Sequence, residues 1–270
     1  MPASAPEESP RPFVETTIAR HLLNRLRMTH EEKAISVFSG PWGIGKTTAL
    51  DAFHEAHEGS CVIVKVEPGM RGKGAAPARV IQFVAESLQH QAGKPRAIVS
   101  TGYLALRQLI YTHMLDMFGP ECVELRPDFT FIFDEAQYLS REAIEMLRYW
   151  NDGDRCTTPF PVGLVFVGNN EFSLQEDMSG HSAISGAVRS RALFIEPLDY
   201  TDVTDTDLVL FAQSRGIGDA AAIAAIVAHY SAPRAKRDLR NVERLLATLQ
   251  RRAAGQPVTR QIVQSFLNPA

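Results

Sequence analysis

Residues 40–48, Gly40-Pro41-Trp42-Gly43-Ile44-Gly45-Lys46-Thr47-Thr48, fit the pattern G-x-x-x-x-G-K-[ST] without a substitution, and no other stretch constrains the fold as tightly. Such a loop lets backbone N–H groups close around a phosphate without Cβ clashes. Lys46 adds a point charge for the β and γ phosphates, and the Thr47 hydroxyl is a ligand for Mg²⁺. Residues 34–38 before the loop are short, apolar and β-branched, which predicts a buried strand; residues 48–57 after it predict a helix. A phosphate would then sit at a helix N-terminus, where unpaired N–H groups and the macrodipole favour an anion.

The rest of the chain reads as alternating strands and helices. Apolar runs at 61–66, 128–133, 162–167 and 192–195 predict four further strands, with helices at 13–28, 77–91, 103–117 and 140–150, the last capped by Ser140. That alternation implies an α/β fold with a parallel five-stranded sheet covered by helices. Beyond residue 202 no strand pattern appears. Helical segments at 204–215, 219–229, 237–252 and 259–267 form a small C-terminal helical lid, which sets expected domains of 13–200 and 201–270 after a disordered tail at 1–12 rich in Pro, Ser and Glu.

Bulk composition excludes several classes. A chain of 270 residues with 45% hydrophobic content buries a full core, and it contains no apolar run long enough to span a bilayer and no signal-peptide pattern, so a cytoplasmic protein without a membrane partner is expected. Three scattered cysteines give neither a disulfide framework nor a metal motif. A net charge of -3 leaves any nucleic-acid contact to local clusters. Two qualify: Arg71, Lys73 and Arg79 in or beside one Gly-rich loop, and Lys94 with Arg96 in another, each able to meet phosphates without reading bases, with a solvated loop as the competing reading.

In a parallel sheet the ligand site lies at the carboxyl ends of the strands. The third strand ends in Asp134-Glu135, an aspartate for Mg²⁺ followed by a glutamate able to polarise an attacking water. The fourth ends in Asn169-Asn170, either of which can orient that water or touch the γ phosphate, or simply make a turn. Arg189 and Arg191 precede the fifth strand; one of them can serve a neighbour's γ phosphate. Arg240 opens a lid helix and can reach the nucleotide, with an i,i+3 surface pair to Glu243 as its competing reading.

Taken together these residues resemble the AAA+ ATPases: Lys46 and Thr47 stand at the Walker A positions, Asp134 and Glu135 at Walker B, Asn169 at sensor 1, Arg191 or Arg189 at the arginine finger, and Arg240 at sensor 2. Residues 12–16, the string from Phe133 to Ala136, residues 163–169, Met178-Ser179-Gly180 and Leu239-Arg240 are similar to the target-DNA activators of transposition typified by the B protein of phage Mu and, more loosely, TnsC. The resemblance implies an ATP- and Mg²⁺-dependent ATPase that forms a homo-oligomer or helical filament on double-stranded DNA with little sequence preference and activates a transposase. A nucleotide-switched adaptor or loader acting on a protein partner is the alternative.

Overall fold

The computed structural model describes residues 12–68, 74–93, 102–153, 156–170, 172, 184–232 and 235–267. Five strands, β1 (Ile35–Ser39), β2 (Cys61–Lys65), β3 (Thr130–Asp134), β4 (Gly163–Gly168) and β5 (Ala192–Pro197), form one sheet in the spatial order β2-β3-β4-β1-β5. Every pairing is parallel. Parallel neighbours cannot be joined by tight turns. α1 (Thr17–Glu31) precedes the first strand; the connections are supplied by α2 (Lys46–Ala56), α3 (Pro77–Gln91), α4 (Tyr103–Phe118), α5 (Cys122–Leu125), α6 (Arg141–Asn151) and α7 (Gly186–Arg189), with α8 (Asp205–Ser214), α9 (Ala220–Tyr230), α10 (Leu239–Ala253) and α11 (Arg260–Leu267) following the last strand. The fold is α/β, as the alternation predicts.

The chain forms two compact units. One contains the described residues of His21–Trp42 and Ala49–Asp199, and the other those of Met1–Arg20, Gly43–Thr48 and Tyr200–Ala270. In the first, β1, β3 and β4 are buried along their whole length, as strands covered on both faces must be. Side chains alternate between faces with period two. Val37, Val64, Phe131, Phe133 and Phe166 share a core with Val84 of α3, Ile110 of α4 and Trp150 of α6. Ser36 and Thr130 face the other way, where Ser36 pairs with Thr29 of α1 at 2.7 Å and Thr130 with His30 at 2.9 Å. Leu22 and Leu26 of α1 are fully buried. Cys61 opens β2 as a core residue, and burial pushes its thiol up to about 12. It and the other two cysteines are free thiols.

In the second unit each helix start has a chemical cause. Thr204 and Asp207 form a capping box at α8, Asp219 caps α9, and Asp238 caps α10. Asp207 also accepts the Thr17 N–H at 2.7 Å, tying the start of α1 to α8. Leu246, Leu249 and Val242 commit one face of α10 to the interior.

Three helix starts differ from expectation by two residues or more; α10 begins at Leu239 and not at residue 237, because Asp238 caps it there. The first helix begins at Thr17 and not at residue 13, because the Thr16 hydroxyl accepts the Ala19 N–H and caps it there. The helix after the loop begins at Lys46, directly after Gly45 at φ +94, so the loop's own lysine belongs to its first turn. Among the described residues no helix is long and apolar enough to cross a membrane.

Candidate nucleotide site

The register of the sheet places the candidate residues of the sheet unit at one end. Ser39 of β1 lies opposite Gly168 of β4, and Asp134 of β3 opposite Val167, so the chain leaves three adjacent strands at Gly40, Glu135 and Asn169. The Gly40 N–H donates to the Gly168 carbonyl at 3.2 Å, so pairing continues one residue into the loop. Pro41 is buried and Trp42 is 58% exposed, an unusual state for a tryptophan. Asp134 is 5% exposed, and its Oδ1 accepts the Glu135 N–H at 3.0 Å.

Glu135 has φ +59 and ψ +39, a left-handed conformation rare for a residue with a Cβ. It reverses the chain into a 3₁₀ turn, Ala136–Tyr138, which carries Gln137 back toward the strand ends. The Gln137 amide donates to Glu135 Oε2 at 2.5 Å and accepts the Asn169 N–H at 3.1 Å. Asn169 itself is buried. Asn170 is exposed. Gln137 was not singled out from sequence, although a polar residue two places after Glu135 at the head of a tight turn is a usable signal.

In the other unit the loop continues through Gly43 and Gly45, at φ +77 and +94, where a side chain would be strained. Ile44 is buried, Lys46 half-buried, and Thr47 and Thr48 exposed in the first turn of α2. The Leu239 N–H donates to the Gly43 carbonyl at 2.7 Å, and a Cβ on Gly43 would lie 1.9 Å from Asp238 Oδ1. The start of α10 is therefore seated on the loop. Arg240 in its first turn is exposed, and Glu243 of the same helix pairs with Arg215 at 2.8 Å.

The arginines before β5 lie elsewhere. Ala192 is in register with Ile35, the first residue of β1, so Arg189 and Arg191 are at the amino ends of the strands. At about 3.3 Å per residue, the strand length puts them on the order of 15 Å from the carboxyl ends of the same sheet. Arg191 is exposed and its Nε meets Asp152 Oδ1 at 3.2 Å, while Arg189 Nε donates to the Ile184 carbonyl. Of the candidate DNA contacts, Arg79 is exposed at the start of α3, 3.4 Å from Glu67 and stacked on Phe83. Arg71, Lys73, Lys94 and Arg96 lie outside the described residues, as do residues 178–180.

A sheet of this order, with a phosphate loop after β1 and carboxylate and amide residues ending β3 and β4, defines a P-loop ATPase of the AAA class. The AAA domain family matches residues 27–175, more than half of the chain, and the protein belongs to that family. Its fold is similar to that of the Aeropyrum pernix ORC2 protein in its ADP form (16% identity, TM-score 0.59, 98% of this chain and 70% of that one). It is also similar to Drosophila ORC bound to DNA (14%, 0.55, 97% and 63%) and to the Thermotoga maritima RuvB Holliday junction branch migration motor (15%, 0.52, 96% and 74%). A sequence comparison with proteins of curated function finds no match.

Proposed function

We propose that this protein is an ATP-hydrolysing AAA+ ATPase that assembles on duplex DNA as a homo-oligomer or filament and directs a transposase. The observation that carries the ATPase reading is the convergence of Gly40, Asp134, Glu135 and Asn169 at the ends of three adjacent strands. Residues 40–48 wrap the phosphates, with Gly43 and Gly45 supplying the backbone freedom and Lys46 the charge. Asp134, a buried carboxylate whose Oδ1 accepts the Glu135 N–H, has the hard oxygen donors that Mg²⁺ selects, as does the Thr47 hydroxyl. When bound, the metal neutralises charge on the β and γ phosphates. Glu135 accepts the proton of the attacking water, Asn169 orients the γ phosphate through its amide, and Arg240 reaches the nucleotide from α10.

The finger arginine acts on a neighbour, because the amino-end position of Arg191 and Arg189 separates them from their own subunit's strand ends. Arg191 is the better choice: it is exposed and held by an equally exposed carboxylate that a neighbour's triphosphate can outcompete. The transposition role rests on the sequence resemblance to the Mu B and TnsC proteins. DNA contact is supported by relatives of this fold that include an ORC bound to DNA. A second reading, a nucleotide-switched loader with a protein partner, is favoured by the net charge of -3 and by the engagement of Arg79 with Glu67.

The test is ATP-dependent co-sedimentation with duplex DNA, followed by electron microscopy of the product. Lys46→Ala is expected to lose nucleotide and assembly together. Glu135→Gln is expected to bind ATP, turn over on the order of a hundredfold more slowly, and accumulate the assembled form. ATP turnover indifferent to DNA, with a stoichiometric protein complex instead, selects the loader.

A further inference from the structure

The amide of Gln137 is placed between the two strand ends that carry the hydrolytic groups, and its orientation is fixed by chemistry. A carboxylate can only accept and a backbone N–H can only donate. The NH₂ of Gln137 therefore faces Glu135 Oε2 at 2.5 Å and its oxygen faces the Asn169 N–H at 3.1 Å. Gln137 is only 9% exposed, so neither bond is diluted by bulk water.

Three local features hold the strut in place. The left-handed Glu135 and the 3₁₀ turn bring residue 137 back over β3 and β4. The turn is clamped to the segment after β2, where the Ala75 N–H donates to the Tyr138 carbonyl at 2.6 Å and the Ser140 N–H to the Ala75 carbonyl at 3.2 Å. Finally, Gly168 leaves the space: a Cβ there would stand 3.1 Å from Gln137 Oε1 and 2.7 Å from Phe172 Cβ. Strain at 135, a clamp at 138 and a missing side chain at 168 all serve the position of one amide.

We propose that Gln137 is the positioning residue for hydrolysis. It occupies Oε2 of Glu135, leaves Oε1 to take the proton of the attacking water, and ties the rotamer of that carboxylate to the backbone of Asn169. Displacement of Asn169 by a γ phosphate is thereby transmitted to Glu135 through a single amide. In this role Gln137 acts through the carboxylate of Glu135 and not on the nucleotide itself. The inference rests on Glu135 as the base, and the experiment separates the two.

Steady-state ATPase activity and calorimetric ATP binding are measured for wild type, Gln137→Met, Gln137→Glu, Glu135→Gln and the Glu135→Gln/Gln137→Met double variant, with thermal unfolding as the check on folding. Methionine keeps the length and volume without either bond; glutamate keeps an acceptor for Asn169 but turns the donor into a second carboxylate. The expected result is a fall in kcat of up to about a hundredfold for Gln137→Met, a larger fall for Gln137→Glu, and ATP affinity within about twofold of wild type in both. In the Glu135→Gln background, Gln137→Met should cost nothing more, since a residue acting only through Glu135 has nothing left to position. Wild-type kcat in both Gln137 variants overturns the proposal. So does an equal further loss in the Glu135→Gln background, which marks a general structural role. Normal turnover in Glu135→Gln alone removes the base, and the proposal with it.

Discussion

The seating of α10 on the phosphate loop makes a quantitative prediction about Gly43. A methyl group at this position meets two costs. The backbone at φ +77 charges an L-residue about 1–2 kcal/mol. The new Cβ, 1.9 Å from Asp238 Oδ1, must also displace that carboxylate. Asp238 is the cap of α10, accepting from the Arg240 N–H at 2.9 Å and the Asn241 N–H at 3.3 Å, and losing such a cap costs about 1 kcal/mol. Gly43→Ala should therefore destabilise the protein by about 2–3 kcal/mol, and Asp238→Ala by about 1 kcal/mol. The double variant should cost no more than Gly43→Ala alone, because the cap is lost only once. The coupling of about 1 kcal/mol exceeds the ~0.5 kcal/mol within which independent sites add. Urea unfolding of the four proteins, followed by circular dichroism, measures it. Strict additivity would refute the argument, since Asp238 would then not be displaced by the methyl.

Other predictions follow from single features. Arg191→Ala should abolish turnover with ATP binding intact, and mixing it with Glu135→Gln, which assembles and keeps Arg191, should restore part of the activity at mixed interfaces; no recovery at any ratio would place the finger elsewhere. Burial, then the neighbouring His57, holds the His30 imidazole below its ordinary value of 6.5. The unfolded chain then binds the extra proton, so stability should hold above pH 6.5 and decline as pH falls below it, by up to about 1.4 kcal/mol per pH unit for this group. His30→Gln should flatten that part of the pH–stability curve. Trp42 is exposed on the loop whereas Trp150, the other tryptophan, is buried, so ATP should change the emission spectrum through Trp42, and Trp42→Phe should silence the change without abolishing binding.

What the sequence made legible was whatever local chemistry encodes. The strand-loop-helix around 40–48, the Ser140 cap and the four C-terminal helices were readable because periodicity and capping residues sit within a few positions of what they specify. The order β2-β3-β4-β1-β5 was not, since pairing between β1 and β4 joins residues more than a hundred positions apart with no local signature. The same holds for the site. Asp134 and Glu135 announce themselves at the end of an apolar run. The strut from Gln137 to Asn169, the contact of Asp238 with Gly43, and the hold of Asp152 on Arg191 each depend on which chain ends the fold brings together.

The position of Arg191 at the amino ends of the strands, away from Asp134 at their carboxyl ends, gives every copy two dissimilar faces. Copies that complete one another's sites through such faces join head to tail, and only a rotation that closes will end the series in a ring. With the proposed finger, one terminal copy of an open series would hold a nucleotide that no arginine reaches, while the copy at the other end would offer an arginine to nothing. The two ends would then age at different rates: the first would stay charged with ATP, the second would sit next to sites that fire. Growth and loss on DNA would be directional from this asymmetry alone, with no polarity read from the DNA itself.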